Sequence, residues 1–430
     1  MSFFSACWKP VEDYLHSSVQ VVDNQQDALL WHKDLTQYDT GDFSIAVVQA
    51  NARLEDQSQV KVGPYGTIIG VYDGHGGPEA SRFITNRLFP KIEGFARDTG
   101  GMSAKVLKQA FSATEEEFVG LVDKNWRAKP HIASVGSCCL VGVISGNNFY
   151  AANLGDSRVV LGTVRHDKVV ALRMSQEHNA CNVEVREELK AQHPDDSHIV
   201  VLKHGVWRVK GIIQVSRSIG DVYLKKPEYN KDYHFSRSGS PLLLKKPVLS
   251  AEPSLHERAL SHEDRFLIFA SDGLWEHMTD QEAVDMVQKS SRNGIARSLV
   301  RAALQQAAKK REMSYADLKK IEPGVRRYFH DDISVVVVYL DHSLMNVSGS
   351  ASKPRARKIS MDSVNAPLDI FSSEILQILT FVGCHTFQFP SLCGCIRYKG
   401  RAHVQAGSVY IWQVLGCSKV LVDYAILTIW

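Results

Sequence analysis

The stretch Thr67-Ile-Ile-Gly-Val-Tyr-Asp-Gly-His-Gly-Gly77 carries the strongest structural signal in this sequence of 430 residues. Its first six residues are mainly apolar, with β-branched and aromatic side chains, which predicts a strand over 67–72. Asp73 follows at once, and the glycines after it let the backbone approach a ligand closely. The carboxylate of Asp73 and the backbone carbonyl of Gly74 suit a hard divalent cation. An isolated Asp-Gly pair is usually only a turn, but this string with its central His75 is much less common.

Other predicted strands also carry acidic residues at or near their ends. These are Ser271-Asp-Gly273 and Gly155-Asp156 after two strands, His330-Asp-Asp332 before a third, and Leu54-Glu-Asp56 beyond a fourth. A solvated surface carboxylate would explain any one of them. An acid beside a buried strand end is unfavourable without a compensating charge, so the repetition indicates a bound cation cluster. Oxygen ligands favour Mg²⁺, Mn²⁺ or Ca²⁺, and paired cations of this kind commonly serve phosphate ester hydrolysis.

Strands and helices alternate through the middle of the chain. Runs of β-branched and aromatic residues predict strands over 43–49, 67–72, 137–144, 149–153, 158–161, 266–270 and 334–340. Apolar residues at three-to-four spacing predict helices over 78–95, 103–126, 183–191, 280–288 and 295–311. The Gly146-Asn147 pair between two strands is a favourable hairpin turn. Hairpins imply antiparallel sheets, whose outer faces the long amphipathic helices would cover.

The composition divides the chain into four segments. We predict an N-terminal leader over 1–35, a catalytic domain over 36–342, a basic and small-residue linker over 343–364, and an atypical apolar extension over 365–430. The extension holds four of the eight cysteines. Charged residues interrupt or flank its apolar windows around 375–382 and 409–412, so a membrane span receives only weak support.

The net charge and the cysteines indicate which kinds of partner and which cellular compartment fit this protein. A formal net charge of +3 is too small to favour a nucleic-acid partner. There is no CxxC pair, and Cys138 and Cys139 lie inside an apolar run, which predicts buried thiols. The N-terminus lacks the basic region and apolar stretch of a signal peptide. We therefore predict an intracellular protein, in the cytoplasm, the nucleus or both.

Taken in order, the acidic strings resemble those of the type-2C family of metal-dependent protein serine/threonine phosphatases, and are most similar to a plant branch of it. The resemblance covers residues 40–342 and includes Asn153-Leu-Gly-Asp-Ser-Arg158 and Val215-Ser-Arg-Ser-Ile-Gly-Asp221. It implies an α+β fold in which helices flank a central β-sandwich of two antiparallel sheets, with the metal centre at one end. It also implies two Mg²⁺ or Mn²⁺ ions per subunit and a third, weaker site.

The resemblance assigns a role to each matching residue. Asp73 would bridge the two main cations, and the Gly74 carbonyl would bind one of them. His75 would be the general acid that protonates the leaving oxygen, with a structural role in supporting the metal loop as the alternative. The other roles go to Asp272 and Asp331 on the first cation, Glu55 on the second, Asp56 on cation-bound water, and Asp156 with Glu276 at the third site.

Three positions depart from the family pattern. Asn51 stands where the family commonly has a phosphate-binding arginine, and an amide cannot form a charged two-pronged clamp. Arg53 would face the same way as residue 51 in a strand, which makes it a candidate substitute. Asp332 stands where asparagine is usual. Glu276 replaces an aspartate, which lengthens the reach to the third cation.

Three functions remain open from the sequence. An active phosphatase acting on phosphoserine and phosphothreonine in proteins is favoured by the intact set of acidic residues. A weakly active or inactive phosphoprotein-binding scaffold is favoured by Asn51 alone. A metal-dependent nuclease would share the ion chemistry but lacks a basic groove signature. The resemblance to the plant branch suggests small regulatory proteins as partners. We also predict a monomer, and we expect Arg217 and Asp221 to form a structural network under the site.

Overall fold

The computed structural model describes residues 27–230, 244, 246–343, 363–370, 401–405 and 408–412. The chain divides into two compact units, residues 1–375 and 376–430. The second unit contains an antiparallel hairpin of Arg401–Gln405 and Ser408–Trp412. The predicted apolar window at 375–382 lies outside the described residues. Within the described ranges, no helix combines the length and apolarity that a bilayer crossing requires.

The described elements follow the sequence pattern closely. In chain order the strands are β1 (Leu30–Tyr38), β2 (Gly41–Val48), β3 (Gln57–Gly63), β4 (Gly66–Tyr72), β5 (Gly74–His75), β6 (Gly136–Ser137), β7 (Cys139–Ser145), β8 (Asn148–Leu154), β9 (Arg158–Arg165), β10 (Lys168–Arg173), β11 (Val200–Lys203), β12 (Val206–Val209), β13 (Ile219–Gly220), β14 (Ser254–Ala259), β15 (Asp264–Ala270), β16 (Ile333–Tyr339), β17 (Val364–Asn365), β18 (Arg401–Gln405) and β19 (Ser408–Trp412). The helices are α1 (Glu79–Thr99), α2 (Ala104–Asn125), α3 (Val183–Gln192), α4 (Asp272–Trp275), α5 (Asp280–Lys289), α6 (Ile295–Lys310) and α7 (Tyr315–Leu318).

Two six-stranded sheets form the centre of the first unit. One has the order β1-β2-β16-β15-β9-β10 and the other β14-β8-β7-β4-β3-β17. The strand pairs that build both sheets are antiparallel. Helices α1 and α2 pack against the second sheet, and α5 and α6 pack against the first. The predicted α+β sandwich flanked by helices is confirmed.

Central strands are apolar throughout because both of their faces are buried. In β4 the neighbours Ile68 and Ile69 point to opposite sides, so Ile68 joins the core under the helices and Ile69 joins the core between the sheets. In β16 the valines alternate in the same way, with Val335 beneath α6 and Val336 between the sheets. Period-two alternation therefore builds three apolar layers from continuous hydrophobic runs.

Strand register brings the acidic loops to one end of the sandwich. Gln57 at the start of β3 lies opposite Tyr72 at the end of β4. Ile333 at the start of β16 lies opposite Val48 at the end of β2, and Ala270 at the end of β15 pairs with Val335. The loops that follow or precede these ends, 49–56, 73–77, 271–273 and 330–332, therefore share one edge.

Residues outside the predicted domain boundaries also join the first unit. Strand β1 begins at Leu30, inside the segment assigned to the leader. Val364 pairs with Val60 in β3, and the buried side chains of Ala366 and Ile370 pack against Val47 and Leu54. The 363–370 segment thus lies under the loop that carries Glu55.

Candidate metal centre

The acidic loops contact each other so closely that only glycine fits at two points. A β-carbon on Gly74 would collide with the backbone carbonyl of Glu55, and one on Gly273 would collide with that of Asp332. The glycines after Asp73 and Asp272 are therefore needed for close approach of a neighbouring loop, whereas the sequence predicted that the glycines after Asp73 allow close approach of a ligand.

Carboxylates from all of these loops interact electrostatically. Burial raises the pKa of Asp73 well above the usual aspartate range, and the charges of Asp272, Asp56 and Asp331 raise it further. Burial, followed by the charge of Asp332, raises the pKa of Glu55 to about 7. Burial also raises the pKa of Asp331, to about 6, although the charge of Arg327 opposes this. Such mutual repulsion indicates a site built for added positive charge.

The donor atoms fit a hard cation. Oδ1 of Asp272 is buried and has no hydrogen-bond partner among the described residues. An unpaired buried carboxylate oxygen is costly, and a cation would remove that cost. The nearby ligand atoms are almost all carboxylate oxygens, which suit Mg²⁺ or Mn²⁺. Asp73, Asp272, Asp331 and Glu55 could therefore hold the ions, although their individual roles stay predictions.

Asp56 and Asp332 are buried, and their carboxylates accept hydrogen bonds from neighbouring loops of the site. Ser271 Oγ donates a hydrogen bond of 2.7 Å to Oδ2 of the buried Asp56. Oδ1 of Asp332 accepts from the backbone N–H groups of Ala50 and Asn51, at 2.6 and 3.0 Å. Its Oδ2 accepts from the N–H of Glu55 at 2.8 Å. A carboxylate can accept at both oxygens, whereas an asparagine would present one amide donor to these N–H groups.

His75 is held by a buried aspartate. Its Nε2 lies 2.8 Å from Oδ2 of Asp221, which also accepts from Ser218 Oγ at 2.6 Å. Burial lowers the pKa of His75, but the charge of Asp221 and their hydrogen bond outweigh it, so the net pKa is raised. Arg217 lies in a separate contact, 2.8 Å from Glu188 Oε1. Asp221 thus acts through His75, and Arg217 does not join the cluster.

Of the two residues predicted for a third cation, Asp156 lies beside Asp73. Ligand atoms of Asp156, Asp73 and Cys138 lie within 4.8 Å of one another. Asp156 Oδ1 accepts from the Cys138 thiol at 3.2 Å, and its Oδ2 accepts from Asn179 Nδ2 at 2.7 Å. Glu276 is exposed one helical turn beyond Asp272. Cys138 and Cys139 are buried thiols, as predicted.

The prediction that Arg53 substitutes for the family's arginine rested on a strand that ends earlier. Strand β2 stops at Val48, and residues 51–53 form a bend, so strand alternation does not apply to them. The charge of Arg53 instead acts on Arg82 of α1. Asn51 Nδ2 donates to Oδ1 of Asp331 at 3.3 Å. A different arginine, Arg327, lies 2.8 Å from Oδ2 of the same carboxylate.

A buried network of charged side chains adjoins Asp331. Arg326 is fully buried and pairs with Asp27 through two hydrogen bonds, of 2.9 and 2.6 Å. Its Nε donates to Nε2 of His330 at 2.7 Å, so the histidine proton lies on Nδ1, which donates to the Asp331 carbonyl at 2.6 Å. The adjacent Arg326-Arg327 pair was the available signal.

Known proteins resemble this chain in sequence and in fold. The family model described as "PP2C: Protein phosphatase 2C" matches residues 54–311. The chain is 59% identical to "Probable protein phosphatase 2C 78" of Oryza sativa subsp. japonica, over 80% of this chain and 88% of that protein. It is 57% identical to "Probable protein phosphatase 2C 63" of Arabidopsis thaliana, over 80% and 91% of the two chains. The crystal structure of a serine-threonine phosphatase 2C from Toxoplasma gondii has the same fold, with a TM-score of 0.55 and 16% identity over 72% of this chain and 99% of that one. The chain belongs to the protein phosphatase 2C family of metal-dependent protein serine/threonine phosphatases.

Proposed function

We propose that this protein hydrolyses phosphoserine and phosphothreonine in other proteins at a centre of two Mg²⁺ or Mn²⁺ ions. The observation that carries the proposal is the convergence of Glu55, Asp73, Asp272 and Asp331 from four loops, with Oδ1 of Asp272 buried and unpaired among the described residues. When bound, the cations supply Lewis-acid activation of water and neutralise charge on the phosphoryl oxygens.

The protein's own groups position the reaction. Asp73 and Asp272 would hold the cations from neighbouring loops, with the Gly74 carbonyl close to Asp73. Asp332 fixes the loop that bears Glu55, because its carboxylate accepts hydrogen bonds from the backbone N–H groups of Ala50 and Glu55. Because the loops are already fixed, they need not rearrange when negative charge develops on the phosphate during the reaction.

His75 would deliver a proton to the leaving seryl or threonyl oxygen. Asp221 occupies Nε2, so the proton would come from Nδ1. The raised pKa of His75 keeps the ring protonated to higher pH than an ordinary histidine. Asp221 also fixes the orientation of the ring.

The test uses the purified full-length chain with p-nitrophenyl phosphate and with phosphoserine and phosphothreonine peptides. Activity is expected with Mn²⁺ or Mg²⁺ and is expected to disappear with a chelator or in Asp73→Asn. Asp167→Asn is the matched control, because Asp167 lies in an exposed turn with φ of 61°, which asparagine tolerates. Inactivity of the wild type with every cation, together with intact phosphopeptide binding, would favour the scaffold instead.

The same proposal covers the binding partners of the protein and its location in the cell. Phosphorylated proteins are the substrates of this family, and small regulatory proteins are the partners suggested by the resemblance to a plant branch. We propose a monomer in the cytoplasm or nucleus. The small net charge of +3 supports a protein partner over a nucleic acid.

A further inference from the structure

Arg327 occupies a position at the acidic centre that no other described lysine or arginine shares. It is the only one of these side chains, among the described residues, that is ion-paired with a predicted metal ligand: Nη2 lies 2.8 Å from Oδ2 of Asp331. Burial would lower the pKa of Arg327, yet the charges of Asp331, Asp272, Asp332 and Asp73 raise it. The guanidinium therefore lies in the combined field of carboxylates from three loops.

Arg327 and Asn51 bind the two oxygens of one carboxylate. Asn51 Nδ2 donates to Oδ1 of Asp331, and Arg327 lies against Oδ2. Asn51 is the position at which the family commonly carries its phosphate-binding arginine. The positive charge absent from position 51 is thus present on the other oxygen of the same carboxylate, supplied by a residue 276 positions later in the chain.

The guanidinium remains available for a ligand. The Arg327 side chain is 49% exposed, and one terminal nitrogen is used by Asp331. An arginine carries five N–H donors, and its fork matches the geometry of a phosphate. Arg326, the preceding residue, is in contrast fully buried against Asp27 and has no such freedom.

We propose that Arg327 binds the phosphate of the substrate and replaces the arginine that the family commonly has at position 51. This role rests on the proposed phosphatase function, because the anion it binds is the phosphoryl group to be hydrolysed. The rival explanation is that Arg327 only neutralises Asp331.

The two explanations predict opposite responses of the metal-loaded full-length protein. If Arg327 binds phosphate, Arg327→Ala raises KM for p-nitrophenyl phosphate and weakens calorimetric binding of inorganic phosphate by about tenfold to a hundredfold, the range of charge-assisted hydrogen bonds. Arg327→Lys recovers only part of this, because a point charge lacks the fork. If Arg327 only neutralises Asp331, the same change leaves phosphate binding intact and tightens Mn²⁺ binding.

A second-site variant makes the test specific. Asn51→Arg combined with Arg327→Ala should restore phosphate binding, because the guanidinium is returned to the family's position. Arg97→Ala, at the exposed end of α1, is the matched control and should change nothing. Thermal unfolding of each variant separates loss of the fold from loss of binding.

Failure of this inference is distinguishable from failure of the proposed function. Wild-type protein that is active with Mn²⁺, together with an Arg327→Ala variant of unchanged KM and unchanged phosphate affinity, overturns the inference alone. Phosphate binding that is lost in Arg53→Ala but kept in Arg327→Ala overturns it as well. Wild-type protein that is inactive but binds inorganic phosphate through Arg327 supports the inference while rejecting the phosphatase function.

Discussion

Asp27 and Arg326, 299 positions apart in the chain, form an ion pair with two hydrogen bonds and almost no solvent exposure. Arg326 also fixes His330, which in turn binds the Asp331 carbonyl. The beginning of the described chain is thereby connected to a predicted metal ligand near the end of the catalytic domain.

Asp27→Ala is expected to lower the free energy of unfolding by about 3–5 kcal/mol, because it leaves the charge of Arg326 buried without a partner. Urea unfolding of the metal-free protein measures this. Asp317→Ala removes an exposed ion pair with Lys320 and should cost less than about 1 kcal/mol. Equal effects of the two substitutions would contradict the assignment of a buried pair.

The buried His178 should make the protein less stable in acid. Burial, followed by the charge of Arg217, lowers its pKa to about 3, while an unfolded histidine titrates near 6.5. Between these values the unfolded state binds the extra proton, so stability falls as the pH falls, by about 1.4 kcal/mol per pH unit.

His178→Gln removes this proton uptake. The difference in unfolding free energy between wild type and variant should therefore shrink steadily from pH 6.5 to pH 4, measured with chelator present so that cation binding does not contribute. A difference that stays constant over this range would show that His178 titrates normally in the folded protein.

Asp221→Asn should change the pH dependence of catalysis. Asp221 raises the pKa of His75, so its loss should move the alkaline limb of kcat/KM to lower pH. The effect on the alkaline limb should be larger with a phosphopeptide than with p-nitrophenyl phosphate, whose leaving group needs little protonation. An unmoved alkaline limb with both substrates would instead favour a purely structural His75.

Ile370→Ala is expected to cost about 2–5 kcal/mol of stability, because Ile370 is 3% exposed and packs against Leu54. Since Leu54 precedes Glu55, a weaker apparent affinity for Mn²⁺ should accompany the loss. Leu368→Ala is the matched control, because that side chain is 53% exposed. Unfolding measurements and Mn²⁺ titration of activity check both effects, and equal losses in the two variants would argue against a packed 363–370 segment.

The sandwich and the acidic cluster were predictable because their signals are local. The run from Thr67 to Tyr72 is apolar because both faces of the strand are buried, and the glycine after Asp73 is required by a neighbouring carbonyl. Because acidic residues recur beside several predicted strand ends, convergence of the loops that carry them was the simplest explanation.

Long-range side-chain pairing was not predictable in the same way. The Asp27–Arg326 pair joins residues with no periodic or spacing relation. The strand-alternation argument for Arg53 failed because β2 ends at Val48, where the chain crosses from one sheet to the other. The backbone N–H groups of Ala50 and Asn51 donate to Asp332 there, not to a neighbouring strand. Arg327 lies in a short 3₁₀ turn that no strand or helix pattern marks.

The neighbouring positions of β2 and β16 in one sheet have a consequence for biosynthesis. A ribosome has to release almost the whole catalytic domain before the second of these strands can pair with the first. Distant pairing of this kind folds slowly, and the edge of β2 stays exposed to chaperones or aggregation meanwhile. A premature stop codon before Asp331 therefore produces a polypeptide that lacks β16 together with the carboxylates of Asp331 and Asp332.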